Sequence, residues 1–166
     1  MRCFYPIPTA LCCLLLFSHT LAAAPKPGKT GLKLPRFASL KATEVNLRTG
    51  PGVRYPVDWV FVRRNMPVEI VGEFEGWRKV RDWQGSVGWV HRSMLSGRRW
   101  AMVRKGVQGL RRAPKSGAPL VARIEPKAIG RVLECRTAWC RIDFSGFQGW
   151  MRRAQFWGVY PKEPID

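Results

Sequence analysis

Histidine and acidic side chains are scarce in this chain. Of 166 residues, two are His and eleven are Asp or Glu, against 29 Lys and Arg. His19 lies near the N-terminus, so His91 is the only imidazole in the rest of the chain. Acid–base or nucleophilic catalysis needs a nucleophile, a base and an orienting group within reach of one another. One histidine closing the run Gly88-Trp89-Val90-His91 supplies no such set. Six acids of the first half (Glu44, Asp58, Glu69, Glu73, Glu75, Asp82) show no paired-carboxylate pattern. Glu69, alternating with Val68 and Ile70, is expected to face outward. We expect no enzyme, no cofactor and no metal site. A sustained 3.6-residue hydrophobic period is also missing, which excludes a helical fold.

Cysteine is sparse once the N-terminus is set aside. Arg2, an apolar run from Ala10 to Phe17 and the small-residue site Thr20-Leu21-Ala22 read as a secretory signal peptide cut after Ala22. The rival is a membrane anchor, but eight apolar residues cannot cross about 30 Å of hydrocarbon. Cys12 and Cys13 lie inside the apolar run, which argues against lipidation. Export leaves Cys135 and Cys140 in an oxidising compartment, where two cysteines usually pair. The run Leu133-Glu134-Cys135-Arg136-Thr137-Ala138-Trp139-Cys140-Arg141-Ile142 reads as strand, tight loop, strand, with the two thiols facing each other. Two thiols with no nearby His are an incomplete metal set.

What is abundant is positive charge and turn residues. The net charge is +18. This implies an anionic partner; the alternative is a solvated basic surface. Residues 23–37 open with Pro25-Lys26-Pro27-Gly28-Lys29 and read as a linker. From Ala38 onward, short β-rich runs alternate with Gly and Pro, so the chain is expected to be all-β.

A repeat organises those runs. Asn46-Leu47-Arg48-Thr49-Gly50-Pro51 returns as Gly109-Leu110-Arg111-Arg112-Ala113-Pro114. Trp77 returns as Trp139, Gly88-Trp89 as Gly149-Trp150, and His91 as Arg152. Landmarks in one order at a period of about 62 indicate tandem duplication. The first unit is assigned to 38–100 and the second, the more divergent, to 101–161. Gly50 and Gly52, flanking Pro51, are expected to supply positive φ at a sharp reversal. With Ala113 and Lys115 in their places, the second loop is expected to follow a different path. Trp77, Trp89, Trp139 and Trp150 are read as core residues that fill small barrels.

The pattern Val45-Asn46-Leu47-Arg48-x-Gly50-Pro51-Gly52-x-x-Tyr55-Pro56, then Val68-Glu69-Ile70-Val71, Gly76-Trp77-x-x-Val80 and Gly88-Trp89-Val90-His91, resembles the bacterial SH3-like (SH3b) domain. It covers about 41–96, and in weaker form 103–157. The resemblance implies a strongly bent five- to six-stranded barrel per copy. It also implies a targeting module, often beside a cysteine peptidase or amidase domain, that holds exported bacterial proteins to the cell wall or to peptides. The expected location is therefore the periplasm or cell surface. The expected ligand is peptidoglycan or its stem peptides, or else a peptide of another envelope protein.

By the same resemblance, loop residues Tyr55, Trp59 and Trp83, with Arg48, are expected to line a ligand groove suited to sugars or extended peptides. The second copy carries more charge: twelve Lys and Arg against three acids over 100–161, compared with eleven against six over 38–99. Arg104-Lys105, Arg111-Arg112 and Arg152-Arg153 are therefore the expected anionic contact, since arginine meets carboxylate or phosphate with paired donors. The alternative is that these pairs are solvated faces. An anionic lipid or nucleic acid also fits basic-plus-aromatic composition, but export argues against nucleic acid.

Overall fold

The β-rich runs form strands wherever apolar residues alternate between turns, and the computed structural model describes residues 29–166. The signal peptide and the start of the linker lie outside the described residues. The first unit contains β1 (Arg36–Leu40), β2 (Val45–Arg48), β3 (Val57–Phe61), β4 (Pro67–Phe74), β5 (Trp77–Arg81), β6 (Val87–His91) and β7 (Leu95–Ser96). The second contains β8 (Trp100–Val103), β9 (Gln108–Arg111), β10 (Leu120–Ile124), β11 (Ile129–Arg136), β12 (Trp139–Phe144), β13 (Phe147–Arg152) and β14 (Phe156–Trp157). The sheet orders are β3-β2-β6-β5-β4-β1-β7 and β10-β9-β13-β12-β11-β8-β14. Adding seven to each strand of the first gives the second, so the duplication holds at the level of topology. Register shifts near Ile70/Gly72 and Val132/Glu134 bend the long strands at matching places.

Two differences from the sequence reading concern boundaries. β1 lies partly in the expected linker: Arg36 pairs with Ile70, and Phe37 is buried. Trp100, placed at the end of the first unit, opens β8 of the second sheet. The repeat thus extends upstream, with Phe37-Ala38-Ser39-Leu40 answering Trp100-Ala101-Met102-Val103. Cys135 and Cys140 pair across the β11–β12 hairpin and form a disulfide with Cα atoms 4.1 Å apart.

Each core is mainly aliphatic, with Phe61 in the first and Phe144 and Phe156 in the second. Leu40, Leu47, Val68, Ile70, Val80 and Val90 form the first; Val103, Leu110, Val132, Cys140, Ile142 and Met151 form the second. Trp139 and Trp150 are buried as expected, at 9% and 8% exposure, Trp77 and Trp89 are half-buried, and none of the four joins either cluster. Val90 faces inward, so its neighbour Trp89 faces outward, and the same alternation turns Trp150 away from Met151. Glycine explains the Gly-Trp pairs better than core filling does. A Cβ on Gly88 would lie 2.6 Å from Leu47 Cγ and 2.9 Å from Arg48 O; on Gly149 it would lie 2.8 Å from both Leu110 Cγ and Arg111 O. Only glycine lets these strands cross so closely.

The Gly50-Pro51-Gly52 turn also works by space. Neither glycine has positive φ. A Cβ on Gly50 would sit 2.4 Å from the Tyr55 ring. In the second unit Ala113 replaces Gly50, and Ala118 replaces Tyr55. The expected change of path does not occur. Thr49 N donates to Pro56 O (3.1 Å) as Arg112 N does to Pro119 O (3.0 Å), and Tyr55 N donates to Gly52 O (3.2 Å) as Ala118 N does to Lys115 O (3.1 Å).

The two units share one junction. Met102 and Ile129 of the second pack against the first core. Glu69, only 3% exposed, faces out of the first core as expected but is covered. It is ion-paired with Arg81 and accepts a 2.7 Å hydrogen bond from the Tyr160 hydroxyl. Phe37 stacks edge-on against Trp157, with centroids 4.9 Å apart, and Arg99 donates to Glu163 at 2.6 and 2.8 Å.

Two stability predictions follow from this packing. Gly50→Ala costs about 1–3 kcal/mol by urea unfolding, because the added methyl meets the Tyr55 ring. In a Tyr55→Ala background the same substitution costs much less, so the pair is strongly non-additive. The second concerns Glu73, whose side chain is buried. Burial pushes its carboxyl up, but hydrogen bonds from Arg36 (2.5 Å) and from Thr30 outweigh it and bring the pKa from 4.5 down to about 2. A depressed folded-state pKa gives stability that is complete above the unfolded value and lost as pH falls through the folded one. Urea midpoints should therefore drop between about pH 4.5 and 2, and Glu73→Gln should flatten that part of the profile.

Candidate functional site

A recess of about 320 Å³ opens on the first unit between the start of β2 and the ends of β5 and β6. Trp77 and His91 form its floor. They are paired directly across β5 and β6, with ring centroids 5.3 Å apart and planes at 74°. Gly76 leaves room for this ring, since a Cβ there would lie 3.0 Å from His91 Nε2. His91 Nδ1 is held by the Ser93 hydroxyl at 2.7 Å. Among the described residues no carboxylate hydrogen bonds to His91. Glu44, Asn46, Arg48, Val53 and Met94 complete the walls.

Arg48 is fixed here by its own turn. Its Nη1 donates to Val53 O at 3.1 Å and Tyr55 O at 2.7 Å. Arg111 repeats this clasp, donating to Ala118 O at 2.8 Å. Both arginines meet one need: the reversing turn presents carbonyls inward, and a guanidinium satisfies two of them at Arg48 and one at Arg111.

The equivalent place in the second unit is closed by its own side chains. Arg152 stands where His91 stands, with its guanidinium 4.9 Å over the Trp139 ring and a 2.6 Å hydrogen bond to Ser116 Oγ. Gln155 replaces Met94 and donates to Gln108 Oε1 at 2.5 Å. Trp139, at 9% exposure, is covered, whereas Trp77 is half-buried and reachable.

The expected groove residues do not come together. Arg48 lines the recess, and Tyr55 packs on Gly50 beneath Arg54. Trp59 is 60% exposed on edge strand β3. Trp83 packs against the first core under Lys127 Nζ, 5.7 Å from its ring centroid. The residues that the sequence reading missed are Trp77, His91, Glu44 and Met94. The repeat position pairing Trp77 with His91, and Trp139 with Arg152, was the available signal.

The expected anionic contact is also divided. Arg104, Lys105 and Arg112 are exposed. Arg111 is a turn clasp, and Arg152 covers Trp139. Arg153 is buried and donates to Tyr160 O at 2.7 Å; burial holds its pKa below the usual arginine value. It therefore offers no surface charge, because the junction encloses it.

Family comparison agrees with this geometry. The family model for the bacterial SH3 domain matches twice, at residues 41–97 and 104–158, which together exceed half of the chain. The chain belongs to the bacterial SH3 domain family. No curated protein sequence matches it. Among solved structures it is similar to NlpC2 from Trichomonas vaginalis (13% identity, TM-score 0.36, 80% of this chain and 50% of that one). It is also similar to NlpC1 from Trichomonas vaginalis (13%, 0.35, 84% and 51%) and to an NlpC/P60 family protein from Bacillus cereus (14%, 0.34, 78% and 58%). The chain spans about half the length of these proteins.

Closure of the second recess by Arg152 is open to test. In Arg152→Ala the Trp139 indole becomes accessible, and its NMR resonance gains relaxation enhancement from a soluble paramagnetic probe. The Trp77 resonance shows that enhancement already in the unmodified protein. Equal values for the two indoles in the unmodified protein would count against the assignment.

Proposed function

We propose that this bacterial SH3 protein is a non-catalytic cell-envelope binding module. It associates with peptidoglycan or its stem peptides through the recess of the first unit, while exposed Lys and Arg of the second add long-range attraction. The observation that carries this reading is the open aromatic floor of Trp77 and His91 beside the polar groups of Glu44 and Asn46. An aromatic face with polar rim groups suits a sugar ring or an extended peptide. The expected signal peptide supports an envelope location.

One observation favours a second reading, a scaffold that holds a peptide of another envelope protein. Strand β3 is an edge strand, and Val57, Trp59 and Val60 are exposed along it, followed by Val62. Such an edge accepts an added strand. Anionic lipid and nucleic acid are left to the salt test.

The test is co-sedimentation of the mature chain with purified sacculi over a salt series. Retention at about 1 M salt, where charges more than about 3 Å apart are screened, is the expected result. Trp77→Ala should weaken it about tenfold, or roughly 1.4 kcal/mol. Binding that vanishes with modest salt, or that Trp77→Ala leaves intact, removes the recess from the account.

A further inference from the structure

The junction holds a larger cavity, about 480 Å³, on different residues from the recess. Its volume lies in the range of small-ligand sites, about 300–1,000 Å³. The walls come from both units. Phe37 of β1 meets Phe156 and Trp157 of β14, and Val159 and Tyr160 of the C-terminal segment close one side. The floor is therefore mostly apolar and aromatic. Small side chains, Ala138 and Ala154, stand at its exposed margin.

Charge at this cavity is one-sided. Arg81, Arg104, Arg152 and Arg153 line it, with Glu69 as the acid. Glu69 is committed to Arg81 and Tyr160. Arg152 is committed to Ser116 and Trp139, and Arg153 donates to Tyr160 O. Arg104 is exposed, and among the described residues its guanidinium makes no hydrogen bond or ion pair. Arg104 therefore presents donors that no protein acceptor uses, beside a Glu69 that is already committed, and this suits a ligand that brings acceptors.

A second hollow of about 300 Å³ adjoins the first, sharing Arg104 and Ala154 as its wall. It is lined by Lys105 and by the amides of Gln108 and Gln155. Gln108 Nε2 donates to Lys105 O, and Gln155 Nε2 to Gln108 Oε1, so each amide keeps one N–H free. An apolar cavity, a free guanidinium and a hollow with amide donors thus follow one another. That order matches an apolar terminal side chain, a carboxylate and a preceding peptide backbone.

We infer that the junction cavity binds the C-terminal end of a peptide whose last residue is apolar, with its carboxylate on Arg104 and its backbone passing Gln108 and Gln155. The probe is an N-acetylated tripeptide, Ala-Ala-Leu, with a free carboxylate. It is titrated into the mature chain by calorimetry and followed by amide shifts at Ala138, Ala154 and Val159. The C-terminal amide of the same peptide, and hexanoate, are the comparison arms. The acid form should bind and shift those amides, and the amide form should bind at least about tenfold more weakly. Arg104→Gln should lose about tenfold, and Ala154→Phe should block the cavity, each with an unchanged melting temperature. Trp77→Ala should leave this binding intact, so failure here and failure of the sacculus experiment remain distinguishable. Equal binding of acid and amide, full binding by Arg104→Gln, or shifts elsewhere would overturn the proposal. Hexanoate binding as tightly as the peptide would assign the cavity to small organic acids and overturn the peptide.

Discussion

The carboxylate of Glu69 is the point on which the two units become one body. It sits on the outer face of β4, where alternation with Val68 and Ile70 puts it, and it is nearly inaccessible. A buried carboxylate costs several kcal/mol unless paired and hydrogen-bonded. Arg81, its partner across β4 and β5, supplies the charge. The Tyr160 hydroxyl supplies the remaining bond, and it comes from the far end of the chain. Docking of the C-terminal segment is what shields Oε1 from water, and the Tyr160 hydroxyl takes the place of the water it displaces. That docking brings Trp157 and Tyr160 onto Phe37 and Glu163 onto Arg99. The tail then returns to its own unit, where Cys135 N donates to Ile165 O at 2.7 Å. Burial beside Glu69 raises the Tyr160 phenol far above its usual range, so it stays a donor at every physiological pH. Each unit alone is of a size that buries too little surface for comfort. A junction with a buried polar centre and an aromatic surround offsets that deficit.

Much of the fold was legible because it is written in spacing. Turn residues marked the strands, and repeated landmarks marked the two units. The outward face of Glu69 was correctly read from alternation. What lies over that face was not, because the covering residues are about ninety positions away and in no repeat register with it. The four matched tryptophans show a different failure. Alternation already placed Trp89 opposite Val90, yet size suggested a core role. In each unit, aliphatic side chains with Phe61 or with Phe144 and Phe156 fill the interior, and the matched indoles lie outside those clusters, two of them covered by guanidiniums. Arg136 lies 5.5 Å from the Trp150 ring and Arg152 4.9 Å from that of Trp139. The recess was missed for the same reason: Trp77, half of its floor, was assigned to the core.

Divergence between the copies is carried by compensating side chains on one backbone. The turn after β2 and the turn after β9 make the same hydrogen bonds although both glycines are replaced. With Ala118 in place of the Tyr55 ring, the ring that excludes a Cβ at Gly50 is gone, and the Ala113 methyl is accommodated. At the recess, the exchange of His91 and Val53 for Arg152 and Ser116 instead fills what was open. A duplicated fold can thus keep its stability in both copies and its open aromatic floor in one.

This also limits what net charge says about partners. The second unit has an excess of nine positive charges over 100–161, which suggests a broad anionic contact. Several of its arginines are structural. Arg111 ties a turn, Arg152 roofs a tryptophan, and Arg153 is enclosed at the junction. Guanidinium suits these tasks because its planar donors satisfy carbonyls while its stem and face cover apolar surface. Their charge still contributes to the long-range field, but Arg111 and Arg153 cannot close on a ligand without giving up carbonyl bonds that tie the fold. Of the six basic residues expected to make that contact, the fold leaves Arg104 and Lys105 between β8 and β9 and Arg112 beyond β9 exposed. Arg104 and Lys105 border the junction hollows, while Lys115, Arg123 and Arg131 are exposed elsewhere on the second unit, so positive charge is offered both beside the cavities and along the outer sheet.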